Sequence, residues 1–109
     1  MDAQREPPDG PEATRVDMRG RVVIVTTARV DHIALRHPEV RADDVLIAIE
    51  RARHRTTARP VAGEQRETLW AESVGRNRWM AVVVAYVGRT GRVVTAYGTN
   101  RGPKPFDLL

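Results

Sequence analysis

The nine residues from Trp79 to Val87, WMAVVVAYV, carry no charge and are apolar at odd and even positions alike. Successive strand residues point to opposite faces, so a stretch apolar on both belongs at the centre of a sheet, with helices on one side and a partner or a binding groove on the other. Turn residues bracket it, Gly75-Arg76-Asn77 before and Gly88-Arg89-Thr90-Gly91 after. Beyond those turns, residues 66–72 alternate polar with apolar and residues 92–98 form a further β-rich run, which makes an antiparallel meander around the central strand.

Two helical patterns precede the meander. Residues 21–27 (RVVIVTT) are β-branched and short, which predicts a strand, and Thr26 or Thr27 can cap a helix that starts near Ala28. Val30, Ile33 and Ala34 follow a helical spacing, and Pro38 ends the helix at about His37. A second amphipathic helix is expected from about Ala42 to Arg53: Val45, Leu46, Ile49 and Ala52 form its apolar face, with Asp43 and Asp44 favouring its N-terminus. Residues 54–65, with Pro60 and Gly63, read as irregular or as a short edge strand.

The predicted fold class is therefore α+β, two N-terminal helices packed on one face of a three- to five-stranded, mainly antiparallel sheet. Residues 1–20 are rich in Pro, Asp, Glu and Arg and read as a disordered tail. Residues 21–101 form the single folded domain and residues 102–109 a loose C-terminal tail.

Charge is uneven along the chain. Residues 1–20 hold five acids against three arginines, leaving 15 basic and nine acidic residues in the remainder, a net of +6. Such a body attracts polyanions. Every basic residue but Lys104 is arginine, whose planar fork suits phosphate better than an ammonium does. The absence of cysteine excludes disulfides, thiolate nucleophiles and cysteine zinc sites. No apolar run is long enough for a membrane span, and no signal-peptide pattern is present. A cytoplasmic location is the default expectation, although a domain delivered by larger machinery would look the same.

The candidate chemistry lies in residues 31–39, DHIALRHPE. On a helix His32 and Arg36 share one side, with His37 about 100° further round. Imidazole can give and take a proton near neutral pH, and guanidinium can hold a phosphate. The same residues have blander uses: His37 could cap the helix C-terminus, and Arg36 could be a solvated neighbour of Asp31 or Glu39. The two histidines have neither a third ligand nor the spacing of a zinc site, so no metal and no cofactor is expected.

The phrase DHIALRHPE, then Asp43-Asp44-Val45-Leu46-Ile47-Ala48-Ile49, the aromatic strand from Trp79, and Arg92-Val93-Val94-Thr95-Ala96-Tyr97 together resemble the small toxin domains of the barnase/EndoU/colicin/RelE superfamily. The likeness is to phage- and plasmid-borne members, and it covers roughly residues 21–101. It implies a helix-plus-four-stranded-sheet fold, metal-independent RNA cleavage through the 2′-hydroxyl, and an antitoxin or immunity protein as partner. It also implies His32 or His37 as the helical histidine, and Thr95 and Tyr97 as the hydroxyl pair of the last strand. Arg36, with Arg66 or Arg78, would hold the scissile phosphate, Trp70 or Trp79 could stack an unpaired base, and Trp79 and Arg101 are expected among the RNA contacts. The chain lacks the catalytic lysine that EndoU-type members carry. The expected function is that of an endoribonuclease toxin; the alternative is a non-catalytic RNA- or protein-binding module. RNA is the expected ligand in both, with no membrane contact and a homodimer left open.

Overall fold

A computed structural model describes residues 12–57 and 62–103. The chain runs β1 (Glu12–Val16), β2 (Val22–Thr26), α1 (Thr27–Arg36), α2 (Ala42–Arg51), β3 (His54–Thr57), β4 (Gln65–Glu72), β5 (Trp79–Val87) and β6 (Thr90–Thr99). The strands form one six-stranded sheet in the order β1-β2-β6-β5-β4-β3. All pairs are antiparallel except β2 with β6, which is parallel. As its sequence demands, β5 lies inside the sheet, between β6 and β4.

This corrects the expected sheet of three to five mainly antiparallel strands, and equally the four strands implied by the resemblance: among the described residues there are six, in a mixed sheet. The largest difference is β1, in a region read as disordered tail. It pairs along its whole length with β2, from Glu12 opposite Thr26 to Val16 opposite Val22. An edge strand needs only one neighbour for its backbone and little apolar surface, so composition conceals it. Residues 1–11 lie outside the described residues, as do Pro60 and the C-terminal stretch from Lys104. The other edge is β3, four residues paired with β4.

Val23 and Val25 of β2, Leu69 and Ala71 of β4, Met80, Val82 and Val84 of β5, and Val93 and Ala96 of β6 form the sheet side of one core. Val45, Ala48 and Ile49 of α2 and Ile33 of α1 close it from the helix side. Burial of that apolar surface is the main stabilising term. The Thr26 hydroxyl caps α1, accepting from the Arg29 N–H at 3.2 Å, and the helix ends at Arg36 with His37 as C-cap. At the start of α2 the Arg41 N–H donates to Asp44 Oδ2 at 3.4 Å. Arg15 of β1 bridges to Glu50 of α2 at 2.8 Å, tying the unexpected strand to the helix layer.

Pairing of β2 with β6 ends at Arg92. Beyond it, α1 contacts β6, and the outward N–H of Gly98 donates to Glu39 Oε2 at 3.1 Å. No described helix is long and apolar enough to cross a membrane.

Candidate functional site

Opposite the helices the sheet has a face with no described element over it, and register arranges its side chains in rows. One row across the sheet runs Ile24, Arg92, Ala85, Arg66. The next runs Thr95, Val83, Thr68, Thr56, and the third Tyr97, Ala81, Trp70, His54. Simple alternation would place Arg92 on the opposite face from Thr95 and Tyr97, because they are odd numbers of residues apart. A bulge resolves this: Val84 faces Val93 but Val83 faces Thr95, so Val94 is the extra residue and the alternation resets.

The arginine end of this face is a groove of about 400 Å³ lined by Arg29 of α1, Arg66 of β4 and Arg92 of β6. Ile24, Ala85 and Val94 supply apolar lining, and Glu64 is the one acid among the lining residues. Arg66 Nε is buried and has no hydrogen-bond partner among the described residues. A buried donor without a partner costs about 1–3 kcal/mol, more when charged, so its persistence calls for an explanation.

The third row carries rings. His37 and Tyr97 have centroids 6.0 Å apart, Tyr97 and Trp70 meet edge to face at 6.5 Å, and His54 approaches Trp79 at 5.9 Å. Trp70 Nε1 donates to the Thr56 hydroxyl at 3.0 Å, which fixes its indole. Glu39 Oε2 lies 3.8 Å from His37 Nδ1. Hydrogen bonds from its own N–H and from Gly98 N–H outweigh its slight burial and, with His37 nearby, hold the Glu39 carboxyl below its ordinary value. The Glu39 carboxylate thus stands on the Nδ1 side of the imidazole, and Nε2 is the nitrogen on the other side of the ring.

The expected site residues therefore divide. His37, Thr95 and Tyr97 share one face, and Arg66 lies further along it. His32 lies instead on an exposed turn of α1, lining a shallow hollow with Thr26, Ala28 and Arg29. Arg36 is exposed and makes no ion pair or hydrogen bond among the described residues, so it does not join His37 and Tyr97. Arg78 and Arg101 lie at the far end of the sheet, where their backbone N–H groups donate to Asn100 Oδ1 and Thr99 Oγ1. Trp79 is half-buried: a Cβ on Gly102 would lie 2.5 Å from its indole, so the chain after β6 already covers part of the ring.

Sequence reasoning missed Arg29 and Arg92, whose place depends on the capped start of α1 and on the bulge. It also missed a charged cluster on the helix side. There Arg21 donates to Asp17 Oδ2 at 2.9 Å and, with both terminal nitrogens, to Glu67 at 2.9 and 2.7 Å. Arg55 reaches Glu67 at 3.2 Å, and the Tyr86 hydroxyl donates to Asp17 at 2.6 Å. Arg21 also stacks 3.7 Å over the Tyr86 ring. That ring fits because residue 91 is glycine: a Cβ there would come within 2.7 Å of it. The cluster has two carboxylates and two guanidiniums and is neutral.

Fold and site together define a small α+β domain whose open sheet face joins an arginine groove to a row of aromatic and imidazole rings. Comparison of the chain with protein-family models, with curated proteins and with solved structures returned no match.

Proposed function

We propose that the open face binds single-stranded RNA and that His37 with Tyr97 cleaves it, as in a metal-independent endoribonuclease toxin. The observation that carries this reading is the approach of His37 to Tyr97 on the face that also bears Trp70 and the arginine groove. Aromatic rings that stack unpaired bases beside cations that track the backbone are what single-strand recognition requires.

In the proposed step His37 Nε2 removes the ribose 2′-hydroxyl proton, and that oxygen attacks the adjacent phosphorus. The bond from phosphorus to the 5′-oxygen breaks, and the Tyr97 hydroxyl supplies the proton to the leaving oxygen. The products are a 2′,3′-cyclic phosphate and a 5′-hydroxyl. Glu39 orients the imidazole, and Thr95 is one row from Tyr97, able to hydrogen-bond a phosphate oxygen. A positioned acid or base contributes roughly 10²- to 10⁴-fold.

End-labelled single-stranded RNA tests this. Wild-type protein is expected to generate cyclic-phosphate ends, and His37→Ala to lower the rate by about 10²- to 10⁴-fold with a melting temperature within a few degrees. His32→Ala should leave the rate nearly unchanged. Expression of the wild type should arrest bacterial growth and His37→Ala should not, and an antitoxin or immunity partner would be expected to cover the same face. A second reading, RNA binding without cleavage, is favoured by the divergence of His32 from His37, which leaves one histidine at the ring row. Binding without cyclic-phosphate product at any excess of protein would select it.

A further inference from the structure

We propose that the groove framed by Arg29, Arg66 and Arg92 is a phosphate subsite separate from the cleavage centre, holding a backbone phosphodiester of the same bound strand. The inference rests on the RNA-binding part of the reading above, and it makes strand length a determinant of affinity. Three arginines line the groove from three elements, against Glu64 as the one acid in its lining. Arg66 and Arg92 flank Ala85 in a single row, so the small methyl leaves room between two long cations. Like charges lining one groove repel, and an anion among them relieves that repulsion. The buried Nε of Arg66 has no acceptor among the described residues, and a small shift of the guanidinium toward a bound oxygen would supply one. Two non-bridging oxygens of a phosphodiester match guanidinium forks on either side.

Position selects a strand rather than a free anion. From Arg66 to Trp70 is four residues along β4, about 13 Å at strand rise. Thr68 and Thr95 fill the row between, so the face is continuous from groove to rings. A phosphate in the groove and a bond beside His37 thus lie more than one nucleotide step apart. A dinucleotide spans the ring row alone, whereas a longer strand reaches both ends.

The test uses 2′-O-methyl oligonucleotides, which cannot be cut, in fluorescence anisotropy at several salt concentrations. Wild type should bind an octanucleotide at least about tenfold more tightly than a dinucleotide. Arg66→Gln should abolish that advantage, and so should the double variant Arg29→Gln/Arg92→Gln, both of whose positions are exposed so that the fold is not at stake. Each lost arginine should reduce the salt slope by about one for a phosphate contact, with dinucleotide affinity unchanged. Equal binding of both lengths, or unchanged octanucleotide affinity in both variants, overturns the subsite. Pyrophosphate bound at the groove without competition from the octanucleotide assigns it to free phosphate and overturns it too. Arginine-dependent length preference in a protein that cuts no RNA supports the subsite while removing the cleavage step.

Discussion

Arginine does opposite work on the two faces of this sheet. On the helix side Arg21 is buried, donates to Asp17 and to both oxygens of Glu67, and lies over Tyr86. On the open side Arg66 leaves Nε unpartnered among the described residues, and Arg29 and Arg92 are exposed around the same groove. The first cluster balances its charge internally and has no capacity left for a ligand. The second holds an excess of positive charge in a concave space. Pairing, rather than residue type, separates a structural arginine from one available for binding.

Removing one partner from each cluster should give the widest contrast. Arg21→Met takes the only ion-pair partner among the described residues from buried Asp17 and leaves Glu67 with Arg55 alone; it is expected to lower stability by about 3–5 kcal/mol, measured by urea unfolding. An effect below about 1 kcal/mol would mean that the cluster relaxes into water and is not a buried network. Tyr86→Phe loses one hydrogen bond to a charged group and should cost about 1.5–3 kcal/mol in the same measurement.

Acidity sharpens the contrast further. Arg21 above all, with Arg55, holds the Glu67 carboxyl below its usual 4.5 against the cost of burial. For Asp17, burial alone would raise the carboxyl, but hydrogen bonds from Tyr86 and from the N–H groups of Arg21 and Arg19, with the charge of Arg21, bring it below 3.8. Both groups bind protons more readily in the unfolded chain. Their stabilisation is therefore complete above those ordinary values and is lost as pH falls below them through the folded-state values. Tyr86 has the opposite shift: burial and Asp17 raise its phenol above the usual 10.0, so its contribution is present below pH 10 and fades as pH rises beyond it. Melting temperature followed across pH should fall at both ends, and Glu67→Gln should flatten the acid limb.

Arg92→Gln, on the exposed groove, is expected to change stability by no more than about 0.5 kcal/mol. The smallest effect is that of phosphate buffer on wild type. At equal ionic strength it should raise the melting temperature slightly over chloride, as binding to the folded state requires, and the rise should vanish in Arg66→Gln. If Arg92→Gln destabilised the protein as much as Arg21→Met, the two faces would not differ in kind.

What could be read from the residues alone was local. The charge-free run from Trp79 to Val87 determined a central strand, Pro38 ended the first helix, and Thr26 and Asp44 marked helix starts, because each effect acts within a few residues. The pairing of Thr95 with Tyr97 on one face followed from strand period alone. Only the tertiary structure decided that Glu12–Val16 joins the sheet, since backbone pairing at an edge leaves little trace in composition. It alone set the register and the bulge at Val94 that turn Arg92 onto the face of Tyr97, and brought Asp17, Arg21, Arg55, Glu67 and Tyr86 into one cluster. Those contacts join residues far apart in the chain, and strand register is settled by the whole set of neighbours rather than by any one segment.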